Sequence, residues 1–489
     1  MMYQVSLDTL VPKDNFYRQV NANLDLSFLY KETAHYYGSE GQESIDPVVF
    51  FKICLAGYLN NIVSDRKLIE FCSNRLDMRL YLQYDIDEAL PWHSTISRTR
   101  QLFGEEVFLS LFRKVLSLCV AKGMVRGKRQ AVDSAFVKAN ASLDSLVEKE
   151  VLSDVAVYAE ELNQGSENQV ALKKVEDTAD DKQNIDKGAT SNKTYYSPTD
   201  PDARISIKPG KPTQLNYYGQ IAVDDAHHVI TGAVGDFADQ RDSQCFEKIA
   251  GHTIENLVQN GLQVTQLLAD TGYSSGEVLR YIEENNLDAY IPNHGSYKHD
   301  RKDFYYNKEL DRYECTRGNK AVLSFSKIVP GHDGLTKKVY LSSKAQCKDC
   351  PLRNACIRGS STFKKLTDTT DKLYYSRMHS KMNTAYGKRM SRIRAKTVEP
   401  VLGTLINFTG MKRVSGRGIK QANKHVLMAT LSYNLKKYLK FISKNAVSVM
   451  VAMKKEQALT KTLFYEAIEV RIRILFMTTK INTLLNNNV

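Results

Sequence analysis

The sequence predicts a multi-domain α/β protein, and three regions with different patterns support this prediction. Residues 45–125 carry apolar side chains at helical spacing. The middle of the chain alternates short β-branched strands with helices, which is typical of an α/β core. Beyond Asp371 the pattern is again mainly helical. A chain of 489 residues is long enough for two or three domains, each with its own hydrophobic core.

The first region is predicted to contain four helices. Pro47 suits the first turn of one helix, and Ser94 or Thr95 suits the N-cap of another that carries basic residues. The other two helices have apolar residues three and four positions apart, over residues 65–72 and 105–122. These helices predict a compact all-helical domain over residues 1–125.

Two apolar strands in the middle region each carry one acid. Ala131–Val137 has Asp133 in its interior, and Val264–Ala269 is followed directly by Asp270. A buried carboxylate needs a cation, hydrogen bonds or a proton to be stable. Acids at strand ends of α/β folds also lie where ligands commonly bind. Both acids are therefore candidates for a cation site; the alternative is that backbone amides or salt bridges stabilise them.

Turn and cap signals complete the middle region, which is predicted over residues 126–292. Residues 224–227 suit a hairpin turn, and Ser274 with Glu277 forms a capping-box pattern before a helix. Residues 144–190 contain twelve acids and five basic residues with few large apolar side chains. This composition predicts a solvated insertion at about residues 144–195.

Positive charge is concentrated near the C-terminal end of the sequence. The 84 residues from Lys372 to Lys455 contain 19 Lys or Arg and one acid, Glu399, so their net charge is +18 and the rest of the chain sums to −5. Charge concentrated in this way favours a polyanionic partner, and nucleic acid is the usual one. The alternatives are a solvated basic face and a segment that binds an acidic protein.

Glu399 is a further candidate for a cation site because it is an isolated acid among many bases. Val398, Val401 and Leu402 begin an apolar stripe with the spacing of a buried helix face, and Glu399 lies at the border of that face. Pro400 is expected to lie in the first turn of this helix or to kink it. The alternative is that Glu399 is a helix cap or a local partner of a neighbouring base such as Arg394.

Four cysteines between residues 293 and 370 form a second group of candidate metal ligands. Cys347 and Cys350 have the spacing of half a zinc knuckle, and Cys315 with Cys356 would complete a tetrahedral site for structural Zn²⁺. The alternative is four unligated thiols. The other cysteines lie in apolar patterns and are expected in the core. We see no export signal and no apolar run long enough to span a membrane, so a cytoplasmic, nucleoid-associated protein is expected.

Several short motifs occur in an order that resembles the bacterial insertion-sequence transposases of the DDE class. The motifs start at Val132, at Ala269 and at Val398, each next to one of the three acids, with Pro91–Arg98, Asp200–Arg204 and Arg417–Gly418 in addition. The resemblance covers about residues 40–440. It implies an RNase H-like mixed sheet with flanking helices, after an all-helical domain and interrupted by an insertion that contains cysteines.

The resemblance also implies an activity and a catalytic triad of Asp133, Asp270 and Glu399. These acids would bind Mg²⁺, with Mn²⁺ as a substitute, and the enzyme would cleave transposon ends and transfer the 3′-hydroxyl into target DNA. Carboxylate oxygens are the ligands that Mg²⁺ prefers, and two metal ions suit in-line attack on a phosphodiester. The alternatives are a non-transposing RNase H-like nuclease and a domesticated DNA-binding regulator without catalysis.

The expected partner is double-stranded DNA, both the terminal inverted repeats and the target, and a homodimer on DNA is implied by the family. Glu399 follows Arg389 by ten residues, where the family pattern has four, so basic residues elsewhere are also candidates for phosphate contacts. The predicted DNA contacts are Arg98, Arg100, Arg389, Arg394, Lys412 and Arg417. The catalytic core is predicted to resume over residues 371–440, and residues 441–489 are predicted to form a helical tail.

Overall fold

The computed structural model describes residues 6–38, 40, 44–149, 191–207, 212–294, 301–330, 336–357 and 359–444. The chain divides into two units, Met1–Asn434 and Leu435–Val489. Residues 435–444 of the second unit are helical. Most of the predicted insertion at 144–195 and most of the predicted tail at 441–489 lie outside the described residues. No helix in the described ranges is long and apolar enough to cross a membrane.

The N-terminal part of the first unit is helical, as predicted. Its helices α1–α8 span Leu7–Leu10, Phe16–Asn23, Phe28–Thr33, Pro47–Leu59, Asp65–Ser73, Leu76–Leu82, His93–Leu102 and Glu105–Ala121. The Asp46 carboxylate caps α4 by accepting hydrogen bonds from the amides of Val48 and Val49, and Pro47 lies in the first turn. In α8 the apolar stripe that includes Phe108 and Phe112 is buried, which confirms the helical spacing read from the sequence.

Two predicted helix caps were wrong by one to three residues. α7 begins at His93, so Ser94 and Thr95 lie inside it, because the chain already leaves the extended conformation after Trp92. The helix after Asp270 is capped by Ser275, whose hydroxyl accepts a hydrogen bond from an amide of the first turn. Ser274 cannot take that position because its own amide closes the preceding 3₁₀ turn.

The described strands are numbered β1–β13 in chain order. They span Arg129–Lys138, Val147–Glu148, Tyr195–Tyr196, Arg204–Ser206, Gln214–Asp224, Ile230–Phe237, Gln266–Leu268, Asp288–Tyr290, Phe304–Asn307, Arg312–Cys315, Val322–Pro330, Thr336–Ser342 and Lys365–Thr369. The later helices α9–α15 span Asp242–Val258, Gly276–Glu284, Lys344–Lys348, Arg353–Cys356, Lys372–Met382, Ala385–Phe408 and residues 419–434.

The central sheet is mixed, with β1 in its middle. β1 pairs antiparallel with β5 and parallel with β7, and β7 pairs parallel with β8. The far edge of β5 pairs antiparallel with β6 and, at its start, with β4. The strand order is β6-β5-β1-β7-β8, and within it only β5 is antiparallel to the other four strands. This order and these directions are those of an RNase H-like sheet. The predicted fold class is therefore confirmed.

Helices pack on both faces of this sheet. Consecutive residues of β1 point to opposite faces, and the helices that they meet are α9 on one face and α14 on the other. α14 buries Val398, Val401 and Leu405, which confirms the predicted stripe. Pro400 lies in the second half of this long helix. The expectation that it marks the first turn was wrong, because Thr384 caps the helix much earlier.

The cysteine-bearing segment forms its own antiparallel sheet between β8 and α13. The strand order is β13-β12-β11-β10-β9, and every neighbouring pair is antiparallel. Tyr313, Leu323 and Tyr340 form its small core. The insertion predicted from the sequence is thus a folded β-sheet inserted between the last core strand and the last core helices.

Candidate active site

Asp133 and Asp270 lie side by side on neighbouring parallel strands. In the β1–β7 register, Ala131 is opposite Leu268, so the same offset places Asp133 beside Asp270, directly after β7 ends. Neighbouring strands of a sheet lie about 4.8 Å apart. The two acids therefore come together at the carboxyl end of β7, as expected for strand-end acids in an α/β sheet.

Glu399 lies on α14, the helix that packs over β1. Its side chain is 59% exposed, while the Asp133 side chain is 15% exposed. A largely buried acid on the strand and an exposed acid on the helix thus lie near each other. In the described part of the chain, no three acids, the predicted triad included, are arranged as ligands of one metal ion. The catalytic roles predicted for Asp133, Asp270 and Glu399 stay predictions.

The Arg394 guanidinium joins two of these acids. One terminal nitrogen lies 2.9 Å from Asp133 Oδ2 and the other lies 3.1 Å from Glu399 Oε1. The other oxygen of Asp133 accepts a hydrogen bond of 2.8 Å from the Ser134 amide. Arg394 is thus both the local partner of Glu399 that the sequence left open and the counter-ion of Asp133.

Burial raises the pKa of Asp133, and the nearby charge of Asp270 raises it further. The Arg394 guanidinium and the Ser134 amide act in the opposite direction because they stabilise the carboxylate. The net shift of this pKa is upward. Burial is therefore the main reason that Asp133 is harder to ionise than a carboxyl in water.

Asp242, at the start of α9, lies beneath the same strand and was missed from the sequence. Its Oδ1 accepts hydrogen bonds from the hydroxyls of Ser134, at 2.5 Å, and Tyr218, at 2.6 Å. Because Ser134 follows Asp133 in β1, this carboxylate fixes the strand from the opposite face. An acid in the first turn of a helix can be identified from the sequence, but nothing in the sequence related Asp242 to Asp133.

The residues after Asp270 form a tight turn around Gly272. The Gly272 amide donates a 2.9 Å hydrogen bond to Asp270 Oδ1. A Cβ at this position would lie 2.5 Å from Asp242 Oδ2, so only glycine fits between the two carboxylates. Tyr273 is fully buried and donates to Gln220 on β5, which fixes the turn to the sheet.

Two other short motifs meet at the start of α15. Asp200 Oδ1 accepts from the Gly418 amide at 2.9 Å and from the Tyr217 hydroxyl at 2.6 Å. Asp202 accepts from the Ile419 amide at 2.9 Å. These acids satisfy amides at the N-terminus of a helix, where the helix dipole also favours negative charge. The Asp200–Arg204 motif is thus explained by helix capping.

The basic side chains predicted to contact DNA differ in exposure. Arg98, Arg389, Lys412 and Arg417 are exposed. Arg100 is only 14% exposed and forms a bidentate ion pair with Asp65, with nitrogen–oxygen distances of 2.7 and 2.9 Å. Its guanidinium is fully engaged inside the protein. The structure therefore does not present Arg100 to DNA, and the expectation for this residue has to be corrected.

The four cysteines of the insertion line one cavity of about 370 Å³. Cys347 is buried and packs with Cys315 and Cys356, and Cys350 Sγ lies close to the backbone of Gly318. All are free thiols. Across the described ranges, no three His, Cys, Asp or Glu side chains are arranged as ligands of one metal ion. The four predicted zinc ligands therefore share a cavity without forming a closed site.

Family comparisons give a consistent result at both ends of the chain. A family model described as Transposase domain (DUF772) matches residues 5–102, and one described as Transposase DDE domain matches residues 314–439. Together these two matches support a DDE-class insertion-sequence transposase. This confirms the resemblance found in the sequence motifs.

The match to the DDE model covers only part of the transposase's candidate active site. It includes Glu399, Arg394 and most of the cysteine-bearing sheet, whereas Asp133 and Asp270 lie between the two matched segments. Their connection to Glu399 comes from the sheet register and from Arg394. The family match therefore covers one of the three predicted catalytic acids.

The transposase is also similar to a solved structure described as "Cryo-EM structure of piggyBac transposase synaptic complex with hairpin DNA (SNHP)". The identity is 10%, the match covers 87% of this chain and 79% of that chain, and the TM-score is 0.23. A TM-score this low does not establish a shared fold. A comparison with curated protein sequences finds no match.

Proposed function

We propose that this DNA transposase cleaves the ends of its element and joins the freed 3′-hydroxyl to target DNA, using divalent cations held by Asp133, Asp270 and Glu399. The observation that carries the proposal is that Arg394 links Asp133 to Glu399 while the strand register sets Asp270 beside Asp133. The donor set fits Mg²⁺, which prefers carboxylate oxygens.

The protein's own contribution to this chemistry is positioning. β1 and β7 hold Asp133 and Asp270 at neighbouring strand positions, and α14 supplies Glu399 from above. Asp242 fixes the strand beneath through Ser134. Divalent ions held by these acids would supply activation of the attacking oxygen and stabilisation of the leaving oxygen. In this proposal the sheet supports Asp133 and Asp270, and the helix α14 supports Glu399.

The exposed basic residues are the proposed DNA contacts. Arg98 lies on α7, Arg389 on α14, and Lys412 with Arg417 on the segment that leads into α15. Lysine and arginine neutralise phosphates and so hold a duplex without reading its sequence. We propose that these side chains hold the terminal repeats and the target, and that two copies of the transposase act together on the two ends.

Substitution of Asp133 tests the proposed chemistry. Asp133→Asn keeps the size of the side chain but removes its charge, so Mg²⁺-dependent nicking of a terminal-repeat duplex should fall roughly 100–1,000-fold. Binding to the same duplex should stay within about twofold of the wild type. Asp87→Asn, an exposed acid in the loop before α7, is the matched control and should nick normally. Normal nicking by Asp133→Asn would remove this residue from the triad.

A strand-transfer assay separates the remaining functions. The wild type should both nick the donor end and join it to a target plasmid. Nicking without joining would indicate a non-transposing nuclease of the same fold. Binding without nicking would indicate a DNA-binding regulator that has lost catalysis.

We also propose that the cysteine cavity binds structural Zn²⁺. Cys315, Cys347, Cys350 and Cys356 line the same cavity, and four thiolates suit a tetrahedral zinc site. Purified transposase should contain one zinc ion per chain by elemental analysis, and Cys347→Ser should lose it. Wild-type protein that is purified without chelators and contains no zinc would contradict the proposal. It would indicate four unligated thiols that pack in the cavity.

A further inference from the structure

We propose that Arg394 is an internal counter-ion that competes with divalent metal for Asp133 and Glu399. This inference rests on the proposed function, because it takes the triad as the metal site. Its basis is that one guanidinium spans two of the three acids, with nitrogen–oxygen distances of 2.9 and 3.1 Å. The guanidinium therefore occupies the space between the two oxygens that a shared cation would have to enter.

Both carboxylate oxygens of Asp133 already accept a hydrogen bond. Oδ1 accepts from the Ser134 amide, which is part of the strand, and Oδ2 accepts from the Arg394 side chain, which can be displaced. A metal ion takes carboxylate oxygens at about 2.0–2.1 Å if it is Mg²⁺. A cation bound to Oδ2 and to Glu399 would lie next to the guanidinium, and two cations at that distance repel each other. For a metal ion to bind, Arg394 therefore has to move away, or it has to share the oxygens of Asp133 and Glu399 with the ion at a cost in electrostatic energy.

The ion pairs of Arg394 are open to solvent only on the side of Glu399. The side chains of Arg394 and Asp133 are largely buried, whereas that of Glu399 is mostly exposed. Both Arg394 and Glu399 lie on α14, so an outward rotation of either side chain needs no change in the sheet. An exposed ion pair is weak, so the contact with Glu399 can be given up at small cost.

The competition has a functional consequence. Without metal, the Arg394 guanidinium stabilises the Asp133 carboxylate. With metal, the same charge is neutralised by the ion, and the guanidinium is released on the face where DNA is proposed to bind. Arg394 would thus lower the metal affinity of the free protein and leave the site ready for metal when DNA supplies another anionic partner.

Metal binding without DNA tests this inference directly. Mn²⁺ is the probe, because its binding can be followed by electron paramagnetic resonance of the free ion. In Arg394→Gln the competing charge is absent, so the Mn²⁺ dissociation constant should fall by about tenfold or more relative to the wild type. Arg394→Lys keeps the charge, but one ammonium cannot span both oxygens as the fork does, so its constant should lie between these two.

Arg392→Gln is the matched control. Arg392 is exposed on the same helix, and its guanidinium bonds to the Lys388 carbonyl within that helix. Its variant should bind Mn²⁺ like the wild type. An unchanged or weaker Mn²⁺ affinity in both Arg394 variants would overturn the inference, and would instead indicate that Arg394 positions the acids for metal.

A further variant separates failure of this inference from failure of the proposed function. Asp133→Asn should lose the Mn²⁺ site in the wild-type background and in Arg394→Gln. If the wild type binds no Mn²⁺ that depends on Asp133, the proposed metal site fails. If the wild type binds Mn²⁺ through Asp133 but Arg394→Gln binds it no more tightly, only the role of Arg394 fails. Circular dichroism of each variant shows that the helices are intact.

Discussion

Two arginines of this transposase form ion pairs of opposite character. Arg100 places two nitrogens on the two oxygens of one acid, Asp65, and both side chains are largely buried. Arg394 places two nitrogens on two different acids, Asp133 and Glu399, and one of those is exposed. In the first pair the charges balance, whereas in the second the acids outnumber the cation.

We propose that this difference separates a structural ion pair from one that belongs to the proposed metal site. A buried one-to-one pair leaves no charge for a ligand and is costly to break. The Arg394 cluster, by contrast, has two acids for one cation; burial raises the pKa of Asp133, and the charge of Asp270 adds to that rise. Charge balance therefore distinguishes the two arginines, although the sequence predicted the same role for both.

The largest expected effect is the loss of the balanced pair. Arg100→Gln leaves the Asp65 carboxylate inside the helical region without its counter-ion, so the free energy of unfolding should fall by about 3–5 kcal/mol. Arg98→Gln, an exposed arginine on the same helix, is the control and should change this free energy by less than about 0.5 kcal/mol. Urea denaturation followed by circular dichroism measures both. A similar small change in the two variants would mean that the Arg100 pair is not structural.

A second prediction concerns the surroundings of the balanced pair. His425 lies in the same pocket as Arg100, and burial, assisted by the arginine's charge, lowers the pKa of His425 to about 4 from 6.5. Because the folded state binds the proton less readily, stability should fall as the pH falls below 6.5 towards 4. At pH 5 the loss from this group should be about 2 kcal/mol.

His425→Gln isolates this contribution. The variant has no proton to exclude, so its free energy of unfolding should change less between pH 7 and pH 5 than that of the wild type. The variant also loses the hydrogen bond of 2.7 Å between His425 and Tyr58, which changes its stability at every pH. The quantity to compare is therefore the slope of the free energy of unfolding against pH. Equal slopes in the two proteins would show that His425 titrates normally.

The smallest expected effect is on DNA affinity. Arg98→Gln removes one exposed phosphate contact, so binding to a terminal-repeat duplex should weaken about fivefold at low salt, and the salt dependence should decrease by about one ion. Fluorescence anisotropy at several salt concentrations measures both quantities. Unchanged affinity and slope would place Arg98 outside the DNA interface and leave α7 with a structural role only.

Periodicity and strand composition predicted much of the fold. The buried stripe of α14 and the acid inside β1 followed from spacing, because both elements bury one continuous face. The side-by-side position of Asp133 and Asp270 needed the register of two strands that are far apart in sequence. The cap at Ser275 was missed because a 3₁₀ turn shifts the helix start by one residue.

The parts of the site that escaped prediction depend on partners distant in sequence. Asp242 looked like an ordinary first-turn acid, and only the fold brings it against Ser134 and Tyr218. Arg100 was predicted to contact DNA because its ion-pair partner, Asp65, lies on another helix and could not be identified from the sequence. Spacing shows which face of an element is buried, but it does not show which side chain from elsewhere neutralises a charge.

The most direct test of the central claim is Mg²⁺-dependent nicking of a terminal-repeat duplex by the wild type and three single variants, measured side by side. The variants are Asp133→Asn, Asp270→Asn and Glu399→Gln. If the three acids form one metal site, each variant should lose roughly 100–1,000-fold in nicking rate while binding the duplex normally. Nicking at the wild-type rate by any one of the three would contradict a shared site.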